Sequence, residues 1–224
     1  MKKFIVPFSA EYYVNDECKV QNHEEIRTYI SELYERSPVK EEGNFYGTGL
    51  TTYFYDDFTS HLDTVELFDE LKNLILSEAK LYILNRAKEL QDLNASTSIY
   101  AMQEKLDRVG LVIPNLWFNV NPYGGYQGRH HHASNLLGGT YYVQCPQNSG
   151  KISFSNPVPF AYYKGQTPIH EHLTLNDFSF EPREGTLLLW PGWADHEISV
   201  NNNKEENRMT ISFGINWGDN AQDI

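Results

Sequence analysis

From about residue 96 to 217 the chain is a succession of short Val, Ile, Leu, Tyr, Phe and Trp runs broken by Gly, Pro and Asn. That texture constrains the fold most. Runs this short cannot make helices of ordinary length, but they suit strands joined by tight turns. The predicted strands are 96–102, 109–121, 138–145, 150–155, 170–180, 185–190, 196–201 and 208–217. Eight such strands with turn signals between them point to a closed or double-sheet all-β unit, a jelly roll or barrel.

The first 95 or so residues read differently. Ile26, Tyr29, Ile30 and Leu33 recur at three and four residues, which predicts a helix from Asn22 or His23 to about Glu35. Ser37-Pro38 ends it. Residues 39–48 read as a loop and Leu50–Tyr55 as a strand. A second, long helix is expected from Asp63 or Thr64 to about Leu93, with Leu67, Phe68, Leu71, Leu74, Ile75, Ala79, Tyr82, Ile83 and Leu90 as its apolar positions. No linker rich in Pro, Gly or Ser divides the chain. The expectation is one α+β domain over 1–224. Its helical part, about 1–95, packs on a double-stranded β-helix core at about 96–217.

Composition narrows the function. The net charge is −12 at pH 7, and an acidic surface repels phosphate backbones, so general nucleic-acid binding is disfavoured. Two cysteines 127 residues apart, Cys18 and Cys145, make neither a disulfide framework nor a cysteine-built zinc site. They fit a reducing compartment. No apolar run reaches a membrane span, and Pro7, Ser9 and Glu11 break the start, so a signal peptide is not expected. The expected location is cytoplasmic.

Chemistry concentrates in three places. Eight histidines occur, and His130-His131-His132 form an internal run. At a strand end, residues i and i+2 share a face, so His130 and His132 would converge while His131 turns away. Neutral imidazole is the commonest metal ligand. Next, Pro191-Gly192-Trp193-Ala194-Asp195-His196 follows an apolar strand, and His196 lies 64 residues after His132. Last, Arg208 comes twelve residues after His196 and opens an otherwise apolar strand. Arg208, Thr210 and Ser212 share one face of it. An arginine entering a barrel needs an anionic partner, and its planar fork suits a carboxylate. Each element alone also has a bland reading: a solvated loop, an exposed strand histidine, a surface arginine paired with Glu205 or Glu206.

As a set, H-x-H, a later strand histidine and an arginine about ten residues on resemble the iron(II)- and 2-oxoglutarate-dependent oxygenases. The resemblance is nearer to a group of 2OG-Fe(II) oxygenases found in bacteria and phages. Its motifs correspond to Trp117-Phe118-Asn119, Gly125-Tyr126, His130-His131-His132, Gly139-Thr140-Tyr141-Tyr142-Val143 and Pro191 to His196. Ser149-Gly150, Ser153-Phe154, Asn156-Pro157, Pro182 and Gly185 also match. The likeness covers about residues 109–217. Ala133 stands where the group has proline. His132 stands where the wider superfamily has a carboxylate ligand, which makes a three-His site one unit more positive. Asp195 is the alternative third ligand, but it neighbours His196 and consecutive strand residues point oppositely.

The resemblance implies an Fe(II)- and 2-oxoglutarate-dependent dioxygenase on a double-stranded β-helix, using O2 to hydroxylate an unidentified substrate. It implies His130, His132 and His196 as metal ligands and Arg208 as the partner of the 5-carboxylate. Tyr142 and Thr210 would help hold the 5-carboxylate, and Asn121 and Asn119 would bind the C1 end of 2-oxoglutarate. His170-Glu171-His172 is a second H-x-H, expected on a connecting strand or lid. Two other readings stay open: a cupin-like three-His metal protein without 2-oxoglutarate, and a non-enzymatic jelly-roll binding module. A small-molecule or protein substrate and a homo-oligomer are both compatible with the sequence.

Overall fold

A computed structural model describes residues 11–36, 49–54, 65–92, 98–155 and 177–218. Helix α1, His23–Arg36, buries His23, Ile26, Ile30 and Tyr34 on one stripe. Glu24 and Glu25 in its first turn and Arg36 in its last complement the helix dipole. A 3₁₀ turn at Glu66–Phe68 leads into α2, Asp69–Asp92, which buries Leu71, Ile75, Ala79, Tyr82, Ile83 and Ala87. These spacings of three and four residues are the pattern that the sequence shows.

Ten strands follow or flank the helices: β1 Tyr13–Asn15, β2 Leu50–Thr51, β3 Leu111–Asn121, β4 Gln127–His130, β5 Leu137–Gln144, β6 Ile152–Ser155, β7 Asp177–Phe180, β8 Leu187–Pro191, β9 His196–Ile198 and β10 Arg208–Trp217. They form two antiparallel sheets, ordered β1-β8-β5-β10-β3-β2 and β4-β9-β6-β7. Among the described residues the two sheets are separate in their strand pairing.

Strand alternation sorts the large sheet into two buried faces. Leu116, Phe118 and Val120 of β3, Tyr141 and Val143 of β5, Leu187 and Leu189 of β8, and Met209, Ile211 and Phe213 of β10 join one apolar cluster with α1 and α2. Their neighbours Tyr142, Leu188 and Trp190 turn the other way and join Ile152, Phe154 and Ile198 of the small sheet. At Gly139 the helix-side layer is so tight that a Cβ would lie 2.3 Å from the Phe213 ring. Glycine is required there by close packing.

One expected element is different. Residues 96–102 were read as a strand, but Ile99–Val109 is a helix, α3. Ile99 and Tyr100 have strand propensity, yet Gln103, Glu104, Lys105, Asp107 and Arg108 favour helix, and Leu106 supplies the buried anchor. Gly110 stops it at φ 74°, its N–H donating to Leu106 O at 3.0 Å. Strand β3 therefore starts at Leu111 rather than 109. The expected strand at 50–55 pairs only over Leu50–Thr51, then turns into a 3₁₀ segment at Thr52–Phe54. Of the expected strand 170–180, Asp177–Phe180 is a strand; His170 and His172, and the loop at 39–48, lie outside the described residues.

Candidate metal centre

Cross-strand register builds the site. In the small sheet, β4 and β9 place His130 directly opposite His196, and Phe154 of β6 lies opposite His196 on the other side. Directly opposed residues bring their Cβ atoms to about 5 Å. His132 comes two residues past the end of β4, in a turn tied to the Pro191-Gly192 turn. His132 N–H donates to Gly192 O at 2.8 Å, Asn135 N–H to His132 O at 2.8 Å, and Gly192 N–H to Leu136 O at 3.2 Å. A Cβ at Gly192 would lie 2.0 Å from Asn135 O, so a larger residue would force these two turns apart.

The three imidazoles come together. Each offers a nitrogen within 4.8 Å of the others, and ring centroids are 4.3 Å apart for His130 and His196 and 5.2 Å for His132 and His196. His130 Nδ1 faces Gly128 O at 2.7 Å and His196 Nδ1 faces Ala194 O at 3.0 Å. A carbonyl can only accept, so both Nδ1 atoms carry the proton and leave Nε2 as a lone-pair donor. Burial lowers the pKa of all three, His132 to about 4. They are therefore neutral at pH 7.

Asp195 does not join them. Its Oδ1 lies 3.0 Å from His131 Nδ1, and both side chains are half exposed at the cavity mouth. His131 and Asp195 thus face each other outside the three-histidine group, although His131 also lines the cavity.

Beside the histidines lies a cavity of about 220 Å³ whose lining includes His130, His132, His196, Trp117, Asn119, Thr140, Trp190, Arg208, Thr210 and Ser212. Alternation on β3, β5 and β10 aims the polar members inward. Asn119 Nδ2 donates to Ser212 Oγ at 3.0 Å and Thr210 Oγ1 at 3.3 Å, and Thr140 and Ser212 hydroxyls meet at 3.3 Å. Arg208 is 2% exposed, and its guanidinium carbon lies 5.2 Å from the Tyr142 ring centroid. Burial pushes the Tyr142 hydroxyl up to about 12, with the Arg208 charge opposing.

The buried polar atoms here are incompletely satisfied. Arg208 Nε, Trp190 Nε1, Asn119 Oδ1 and Asn121 Oδ1 have no hydrogen-bond partner among the described residues. An unpartnered buried group costs about 1–3 kcal/mol, more when charged. Three of them, on Arg208, Trp190 and Asn119, belong to residues lining one cavity and mark a site shaped for a polar ligand.

Of the site residues expected from sequence, His130, His132, His196, Arg208 and Thr210 line this one cavity. Tyr142 and Asn121 do not line it: Tyr142 covers Arg208, and Asn121 is buried opposite Arg208 in the β3–β10 register. Asn119 takes the wall position. Sequence reasoning missed Thr140, Trp190, Gln127, Thr51 and Tyr53 as lining residues. Thr140 was findable, since it stands two before Tyr142 on the same strand face. Thr51 and Tyr53 carry no such signal; tertiary packing brings Tyr53 within 4.9 Å of the Trp117 ring.

Residues 115–214 match the protein family described as "Putative 2OG-Fe(II) oxygenase". Over this stretch the chain is similar to that family. The stretch runs from β3 into β10 and holds the three histidines and Arg208. Solved structures repeat the fold. The non-heme alpha-ketoglutarate-dependent epimerase SnoN from nogalamycin biosynthesis is 14% identical, covers 91% of this chain and 77% of its own, and has a TM-score of 0.56. HygX from Streptomyces hygroscopicus, solved with nickel and 2-oxoglutarate bound, is 11% identical over 92% of this chain and 83% of its own, at a TM-score of 0.53. A Burkholderia pseudomallei oxidoreductase of the 2OG-Fe(II) oxygenase family is 12% identical at a TM-score of 0.38 and covers 49% of this chain; the chain spans 46% of its length. At these identities the likeness is one of fold. No curated protein matches the sequence.

The residues of this stretch fit the metal and co-substrate of that family. Three neutral imidazoles on one wall can hold Fe(II) on one face. A dicarboxylate is an acceptor that Arg208 Nε and Trp190 Nε1 lack among the described residues. Among the described residues, no helix is long and apolar enough to cross a membrane.

Proposed function

We propose that this chain is an Fe(II)- and 2-oxoglutarate-dependent dioxygenase that hydroxylates a C–H bond of its substrate. His130, His132 and His196 hold the metal, and Arg208 pairs with the far carboxylate of 2-oxoglutarate. The observation that carries the reading is a buried arginine with an unpartnered Nε in the same small cavity as three converging, neutral histidines. A binding module without this chemistry has no need of an inward cation beside such a cluster.

When bound, iron, 2-oxoglutarate and O2 supply the oxidising chemistry, with 2-oxoglutarate leaving as succinate and CO2. The chain's own residues position and shield. The carbonyls of Gly128 and Ala194 fix the His130 and His196 rings so that Nε2 faces the centre. Thr210 and Asn119 line the wall between Arg208 and the metal end. Tyr142 and Trp190 lie in an apolar layer with Ile152, Phe154 and Ile198, which limits water around the guanidinium and strengthens its attraction for an anion. Gln127, Tyr53 and Trp117 stand around the remaining wall, where the primary substrate would enter.

Anaerobic calorimetry with Fe(II) tests the metal site. One ion per chain is expected, with binding abolished in His130→Ala, His132→Ala and His196→Ala. Full affinity in His132→Ala with loss in Asp195→Ala would replace the third ligand. Succinate release without primary substrate then tests the co-substrate. A protein that binds iron but neither binds 2-oxoglutarate nor forms succinate is a cupin-like three-His metal protein instead.

A further inference from the structure

The Trp190 indole N–H is a buried donor with no acceptor. Trp190 is 2% exposed, it lines the cavity, and its Nε1 has no partner among the described residues. Indole is donor-only, so neither a flip nor another tautomer can relieve this. Buried tryptophan N–H groups usually find a partner.

Its position gives the direction. The indole ring centroid is 4.8 Å from that of His196. On the neighbouring strand β5, Gly138 is the register partner of Trp190. A Cβ built on Gly138 would lie 2.8 Å from Trp190 Nε1 and 3.5 Å from His132 Cδ2. The indole nitrogen therefore packs against Gly138, at the histidine end of the cavity, near His132 and His196, and only glycine at 138 leaves room for it. Arg208 lies elsewhere, under the Tyr142 ring.

We propose that Trp190 Nε1–H donates to the metal-proximal carboxylate of the bound 2-oxo acid, making Trp190 a positioning residue for the co-substrate. The inference rests on the oxygenase reading above. Its chemical logic follows from the ligand set. With three neutral histidines and no carboxylate on the metal, the anionic oxygens at the centre belong to the co-substrate. A rigid N–H held in an apolar layer is a strong donor to such an oxygen and selects its orientation. Arg208 would grip one end of the dicarboxylate and Trp190 the other.

The test is anaerobic binding of 2-oxoglutarate, and of pyruvate, to the Fe(II)-loaded protein, followed by calorimetry and by the charge-transfer absorption of the 2-oxo acid chelate. Pyruvate keeps the metal-binding end and lacks the far carboxylate. Trp190→Phe keeps the ring and removes the donor. It should bind Fe(II) as the wild type does, bind both 2-oxo acids about 10- to 100-fold more weakly, and shift the absorption band, because one charge-assisted hydrogen bond is lost. Gly138→Ala is the independent variant: its methyl group would lie 2.8 Å from Nε1 and pushes the N–H out of position, so it should weaken both acids in the same way with the indole donor still present. Unchanged affinity and absorption in a folded Trp190→Phe protein overturn the proposal. So does a loss confined to 2-oxoglutarate, which would put Trp190 at the far end. If Trp190→Phe fails to fold, Gly138→Ala decides by the same criteria. A wild-type protein that binds Fe(II) but neither 2-oxo acid overturns the oxygenase reading, and the proposal falls with it.

Discussion

The two faces of the large sheet are buried alike and built oppositely. On β10, Met209, Ile211 and Phe213 face the helices, while Arg208, Thr210 and Ser212 line the cavity. Ile211 and Thr210 are 0% and 3% exposed, so burial alone does not separate them. The helix side is mainly apolar; among its polar contacts, His23 Nδ1 lies 2.7 Å from the Tyr141 hydroxyl, with Glu184 beyond it. The cavity side keeps an arginine and several amide and indole atoms without partners. One face lowers the free energy of folding. The other gives some of it up to hold groups ready for a ligand.

The sharpest way to break this comparison is at Arg208. Arg208→Ala should weaken 2-oxoglutarate binding by roughly 30- to several-thousand-fold, the usual 2–5 kcal/mol for truncating one member of a buried charge pair. Fe(II) affinity should stay the same, because the arginine is not a ligand. Arg208→Lys should restore part of the loss, since an ammonium cannot form the two-pronged contact. The same Arg208→Ala protein without ligand should be no less stable to denaturant than wild type, because it sheds a buried cation whose Nε has no partner among the described residues. A large drop in its unfolding free energy would show that the arginine serves the fold, and the two faces would no longer differ in kind.

Next in size, and on the opposite face, Ile211→Ala should cost about 2–5 kcal/mol of stability through the cavity it leaves against α1 and α2. Its Fe(II) affinity, measured on the folded fraction, should be that of the wild type. Chemical denaturation and calorimetry on the same preparations separate the two effects. An Ile211→Ala protein that is stable but loses metal would place the metal site's support on the helix side.

How far these faces were legible in the sequence follows from strand physics. Alternation with a period of two put Arg208, Thr210 and Ser212 on one side of β10 before any coordinates, and put His130 and His132 on a common side of their turn. The long helices were legible from their repeating apolar stripe. What alternation cannot supply is register between distant strands. That His196 stands opposite His130, or that Trp190 stands opposite Gly138, depends on pairings between residues far apart in sequence. The helix at Ile99–Val109 was misread because its first two residues favour strands, while its helical character lies in the charged residues after them. Tyr53 and Thr51 reach the cavity through a two-residue edge strand too short to leave a pattern.

A smaller effect sharpens the comparison through pH. Burial lowers the pKa of His130, His132 and His196 below the ordinary histidine value, His132 to about 4. A group whose folded pKa is depressed binds protons first in the unfolded chain. Stability is therefore full above the unfolded pKa of about 6.5 and falls as pH drops below it. Metal-free protein should lose about 1–3 kcal/mol between pH 7 and pH 4.5. Metal-loaded protein should hold its stability to lower pH, because bound metal keeps the imidazoles deprotonated. Denaturation curves at several pH values, with and without Fe(II), check this. Equal acid sensitivity in the two forms would mean that the histidines are not the ligands.

The smallest expected effect belongs to His131, between two ligands in sequence yet on the other side of the chain. Its Nδ1 meets Asp195 across 3.0 Å, and both are half exposed. An exposed pair of this kind contributes about 0–1 kcal/mol. His131→Ala should leave Fe(II) affinity within about threefold of wild type, because its imidazole never faces the centre. Asp195→Ala should behave the same way. Any change should appear instead in the handling of the primary substrate, since His131 lies on the cavity wall near Gln127. The contrast with His130→Ala and His132→Ala on either side makes the test stringent: three adjacent, chemically identical residues, two indispensable and one silent toward metal. If His131→Ala loses iron and His130→Ala keeps it, the turn after β4 is shifted by one residue, and the assignment of inward and outward positions along it reverses.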